Sequence, residues 1–150
     1  MHMKYLKFII TSALVISIFS ILTGLSFDHE EEIIKELMTK RTDILESMLN
    51  DDISYKEGKR RLREIEEGKL LTDDMQMIER YADTDYDQVT GMNIYDIEKV
   101  SHVSDLITYS VSVNWTLSGY DGIYHERINY YLGIKAKEKE YKIVSMEAVQ

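Results

Sequence analysis

The chain has no cysteine, no proline and only seven glycines in 150 residues. Without cysteine there are no disulfide staples, no reactive thiol and no lipoprotein anchor, which needs a cysteine at its cut site; stability must rest on packing. The missing prolines and scarce glycines exclude a flexible stalk. No serine nucleophile elbow, phosphate-binding glycine loop or dinucleotide fingerprint occurs, so the commonest enzyme classes lose their signatures. Positive charge is also short: 18 basic residues face 27 acidic ones. That balance disfavours nucleic acid and anionic lipid surfaces, whose phosphates would be repelled.

One long apolar run is present. Residues 8–27 carry no charge, with Lys4 and Lys7 before them and Asp28-His29-Glu30-Glu31-Glu32 after them. Twenty helical residues span about 30 Å, the thickness of a bilayer's hydrocarbon core. The flanking charges orient the N-terminus to the cytoplasm and everything from residue 28 to the outside. The expected domains are a transmembrane anchor or signal peptide at 1–27 and an extracytoplasmic domain at 28–150. Gly24-Leu25-Ser26 also fits a signal-peptidase site, so the alternative to a single-pass anchor is a protein secreted after cleavage near Ser26. The exported part keeps 16 basic and 27 acidic residues, a charge of −11 against −9 for the whole.

Residues 29–50 carry Ile33, Ile34, Leu37, Met38, Ile44, Leu45, Met48 and Leu49 at helical spacings, with Asp28 as an expected N-cap. Ser54-Tyr55-Lys56-Glu57 is a capping box opening a second helix that stops near Gly68, and Thr72 is the expected cap of a short third helix. From residue 88 the period becomes two. Ile107, Tyr109, Val111, Val113, Trp115 and Leu117 alternate with small polar residues over 106–117, the signature of a strand with one buried and one wet face. Ser118 to Gly122 supplies a turn, Tyr124 to Ala136 a long strand, Lys137 to Glu140 a second turn and Tyr141 to Val149 a last strand; a less regular strand near 89–100 precedes these. The expected class is α+β: an N-terminal membrane-spanning helix, then about three helices packed on a curved antiparallel sheet of about four strands.

Helices first, then long strands closing on Tyr141-Lys142-Ile143-Val144-Ser145-Met146-Glu147, resembles the nuclear transport factor 2-like superfamily, a cone similar to the cystatin arrangement. The resemblance covers about residues 30–149 and rests on element order and strand pattern. It implies an extracytoplasmic assembly or accessory domain, as in the anchored scaffold subunits of type IV secretion and conjugation machines. Enzymatic members, similar to ketosteroid isomerase, imply an Asp base with Tyr or acid donors inside the cone. Here the only acid-and-phenol combination is Glu126 with Tyr109 or Tyr130, and the pocket it would serve is bounded by Tyr109, Val111, Val113, Trp115, Tyr130, Leu62 and Ile65.

Other motifs fail on spacing. His29-Glu30-Glu31-Glu32-Ile33 lacks the second histidine of a zinc helix, and Asp83-Thr84-Asp85-Tyr86-Asp87 lacks the glycine and glutamate of a calcium loop. Lys59, Arg60, Arg61 and Arg63 form a basic cluster, but Glu57–Arg61, Arg60–Glu64 and Arg63–Glu67 at i,i+4 describe a solvated helix face. Asn114-Trp115-Thr116 matches a glycosylation sequon inside the best strand, where a glycan competes with pairing. No metal or other cofactor is expected. The reading is therefore a membrane-anchored binding or assembly domain without catalytic activity, the alternative being a small-molecule-binding or enzymatic cone pocket. Its partner face is the polar parity Thr108, Ser110, Ser112 and Asn114 with His125 and Arg127, facing envelope or membrane proteins, and homo-oligomerisation stays open.

Overall fold

The computed structural model describes residues 29–82 and 84–149. The expected span at 8–27, the boundary at 27/28, the Ser26 cleavage site and the Asp28 cap lie outside those residues. Among the described residues no helix is long and apolar enough to cross a membrane. Among the described residues, 35–149 belong to one compact unit, and 29–34 are helical.

Helix α1 covers 29–49, α2 Tyr55–Ile65 and α3 Lys69–Tyr81. Four antiparallel strands follow in sequence order, β1 Gln88–Val103, β2 Leu106–Gly119, β3 Gly122–Lys137 and β4 Glu140–Ala148. The domain is α+β, helices first and an antiparallel meander after, as the change of period predicts. Half of the capping box forms: Ser54 Oγ accepts the Glu57 N–H at 3.2 Å, while the Glu57 carboxylate turns to Arg60 and Arg61 instead of back to the Ser54 N–H. The third helix differs from expectation. It begins at Lys69, just after Gly68 at φ +70°, so Thr72 lies inside it and turns its hydroxyl back to the Gly68 carbonyl. The apolar stripe explains the earlier start, because Leu70 precedes Met75 and Ile78 on the buried face.

The sheet has two chemically different faces. On β2, Ile107, Tyr109, Val111, Val113 and Trp115 are buried, while Thr108 to Thr116 in the other parity stay half-buried. Leu132, Ile134 and Ile143 from β3 and β4 complete the inner core against Leu62, Ile65 and Ile78 of the helices. The irregular first strand has a geometric cause. The β1–β2 register slips at Thr90, Tyr95 and Val100, so the inward set changes parity three times, through Val89, Met92 and Ile94, Ile97, then His102. A further slip at Val144 lets Ile143 and Met146 of β4 pair with the inward Ile134 and Leu132. The β3–β4 hairpin turns through Glu138 and Lys139, both at positive φ, the geometry of a two-residue primed turn.

The short α2–α3 connection is pinned to the sheet. Glu66 bridges Ile143 in parallel, the Glu67 N–H bonds the Ile143 carbonyl at 3.1 Å, and Lys142 Nζ donates to the Arg63 carbonyl at 2.7 Å. Glu67 pairs with Lys135 at 2.6 Å in place of the i,i+4 Arg63, because the chain has already left the helix at Glu66. Leu132 is 0% exposed at the centre of this packing. Leu132→Ala is expected to cost about 2–5 kcal/mol in urea unfolding, the range for an aliphatic side chain removed from a closed core.

Candidate functional site

Helix α1 and helix α3 each carry one charge in the middle of an apolar stripe. Arg41 stands between Leu37 and Leu45, and Asp74 between Leu70 and Ile78. Packing brings them together as a fork: Arg41 Nε donates to Asp74 Oδ2 at 2.8 Å and its terminal nitrogen to Asp74 Oδ1 at 2.6 Å. A second carboxyl arrives from the end of α2. Glu66 is 1% exposed, and its Oε1 is 2.8 Å from Arg41 Nε, whose single N–H already points at Asp74. Both Glu66 oxygens consequently lack a hydrogen bond as bare acceptors. Burial, then the neighbouring Asp74 charge, pushes Glu66 up to about 8, so at neutral pH it holds a proton and can donate to Asp74. The remaining Arg41 nitrogen points at Met146 Sδ of β4, 3.6 Å away. One guanidinium thus ties together all three helices and the last strand.

A cleft opens beside Arg41. It has a volume of about 300 Å³ and apolar walls from Leu45, Leu49, Met77, Tyr81, Val89 and Trp115. Trp115 is held edge-on to Tyr130, with ring planes at 89°, and donates its indole N–H to the Tyr130 oxygen at 3.0 Å. Burial raises the Tyr130 phenol above its ordinary range. Glu46 and Asp87 stand at the cleft's edge, Glu46 accepting the Val89 N–H at 3.2 Å and Asp87 the Tyr124 hydroxyl at 2.6 Å. Burial also raises the Glu46 carboxyl. Among the described residues no group of three or more acidic, histidine or cysteine side chains is arranged to hold a metal ion.

The pocket residues expected from sequence separate into three environments. Trp115 lines the cleft and Tyr130 supports it; Tyr109 and Val113 are closed into the core at 2% and 0% exposure. Glu126 faces Trp115 across the β2–β3 pair but is exposed, because β4 pairs with β3 only as far as Tyr130. The acid-and-phenol combination is therefore not enclosed. The expected partner face, in contrast, is one continuous surface. Register sets Asn114 opposite Arg127 and Thr116 opposite His125, and Ser112 donates to Asn129 at 2.9 Å. Arg127 donates to Asn114 at 3.3 Å and stacks 4.7 Å from the ring centroid of Tyr95, which the β1 bulge delivers to the same face.

Sequence reasoning passed over Arg41, Glu66 and Asp74. The available signal was local: a charge at an i,i+4 position inside an apolar stripe, on two helices and with opposite sign. No protein-family profile matches the chain, and no curated protein matches its sequence. A solved structure similar to it is the crystal structure of the intermembrane space region of chloroplast protein ARC6, with TM-score 0.52 and 11% identity over 79% of this chain and 95% of that one. At that identity the likeness concerns the fold alone.

Between about pH 4.5 and 8 the folded state keeps the Glu66 proton that the unfolded chain releases, so this group makes stability fall as pH rises through that window and levels off above it. The slope is at most about 1.4 kcal/mol per pH unit. Glu66→Gln, which keeps a neutral donor, is expected to flatten this component in urea titrations between pH 5 and 8. Tyr130→Phe removes the indole's acceptor and is expected to cost about 1 kcal/mol with a shift in Trp115 emission.

Proposed function

We propose that this chain is a membrane-anchored extracytoplasmic domain that works by binding other envelope or membrane proteins, without catalysis, through the outer face of its sheet. The observation that carries the reading is the composition of that face. Tyr95 and Tyr131, 45% and 47% exposed, flank Arg127 on a field of Ser110, Ser112, Asn114 and Asn129. Rigid aromatic and arginine anchors among small polar residues are what protein-recognition surfaces use, because they supply contact area at low entropic cost. The ladder Ser112–Asn129 and Asn114–Arg127 keeps these side chains ordered before a partner arrives.

The uncharged run 8–27 with Lys4 and Lys7 before it supports the anchor and its orientation. Helices followed by a four-stranded antiparallel meander support membership of the nuclear transport factor 2-like arrangement. An exposed Glu126 supports binding over cone-pocket catalysis, since a general base needs a pocket to raise its pKa.

A photo-cross-linker at residue 112 or 114 of the full chain in its native membrane is expected to trap a stoichiometric envelope protein. Tyr95→Ala, Arg127→Ala and Tyr131→Ala should each weaken that complex about tenfold or more with unfolding unchanged. Recovery of the chain alone, or unaltered capture by all three variants, would reject the assignment.

A further inference from the structure

On the helix side of the sheet, the Trp115 cleft does not end at Glu46. A second cavity, about 380 Å³, shares Thr42, Glu46 and Val89 with it and continues between α1 and the start of β1. Together they form an elongated groove, apolar and aromatic at one end and polar at the other. Its charges are one-sided. Asp43, Glu46, Asp52 and Asp87 line it, and the one cationic residue in its lining, Arg41, is already compensated by the Asp74 carboxylate at 2.6 Å. The carboxylates are spread along the groove and do not converge as a metal site, so one small ion does not satisfy them.

Apolar aromatic walls with carboxylates at their edge suit a long side chain that is aliphatic along its stem and positive at its tip, which gains from both stem burial and cation–π contact. The length of the groove suits more than one such residue on a chain. We propose that the groove docks a short basic segment of a partner protein, a lysine or arginine stem lying against Trp115 and Tyr81 with its head among Glu46 and Asp87, and a second basic residue beside Asp43 and Asp52. The chain's net charge of −9 draws such a segment in at long range. This site lies on the opposite side of the sheet from the Tyr95–Arg127–Tyr131 face, and its test is independent of that one.

Trp115 is the only tryptophan, so its emission reports on the groove without labelling. The full chain in nanodiscs of zwitterionic lipid is titrated with the capped peptide Gly-Lys-Leu-Lys-Gly and with Gly-Glu-Leu-Glu-Gly as its acidic counterpart. The lysine peptide is expected to give a saturable change that weakens with added salt, and the glutamate peptide none. Glu46→Gln and Asp87→Asn should each weaken the lysine peptide about threefold to tenfold. Asp87 also holds Tyr124, so Met77→Lys is the second test: it sets a built-in cation in the cleft from its half-open wall and should abolish the titration while thermal unfolding stays close to the parent. No saturable change, an equal response to the glutamate peptide, or full binding by Met77→Lys would overturn the proposal. So would a response to benzyl alcohol with none to the lysine peptide, which would make the groove a small-molecule pocket.

Discussion

The structure depends on one buried ionic knot. Arg41 reaches from α1 to Asp74 of α3, Glu66 at the end of α2 and Met146 of β4. A guanidinium is suited to this position because its planar fork satisfies a carboxylate bidentately and leaves donors for other directions. The arrangement carries two acids for one base, and the low dielectric resolves the surplus by protonating Glu66. Replacing Arg41 or Asp74 alone by an apolar residue leaves the other as an uncompensated buried charge, so the knot acts as a unit. With no disulfide to hold the three helices on the sheet, such a directional contact has particular value.

The knot also shapes the cleft. Because Arg41 is held toward Asp74 and Glu66, its stem forms part of the wall beside Leu45 and Trp115 and its charge is spent inside the protein. The acidic edge residues Glu46 and Asp87 are then electrostatically uncompensated from that side. On the other side of the sheet, the same β2 strand presents hydroxyls and amides that bond side chains of β3, Ser112 to Asn129 and Asn114 to Arg127. One strand thereby separates two surfaces of different chemistry, a consequence of its strict period of two.

Legibility varied with how local the determining physics was. The strand 106–117 and its faces were readable because six large apolar residues alternate without a break, and the α2 start was readable from Ser54 and Glu57. The first strand was blurred because three bulges change its parity, a decision made jointly with β2. The α3 start was misplaced because Thr72 has a cap's chemistry while Gly68, with its positive φ, makes the actual bend. Of the residues expected in a pocket, Trp115 reaches the cleft; Tyr109 shares its parity but is buried in the core further along the strand, opposite Leu132. Parity assigns a face, and only the ends of neighbouring elements decide whether a place on that face is open.

The sequence by itself determined the α+β class, the order of elements and the division of the sheet into apolar and polar faces, since periodicity and caps act over a few residues. Tertiary structure alone decided that Arg41, Glu66 and Asp74 meet, that Glu66 is driven to its neutral form and that a groove runs from Trp115 along α1. Those outcomes depend on contacts between residues 25 to 105 positions apart, where burial sets the energy of a charge and no local pattern records which partner will neutralise it.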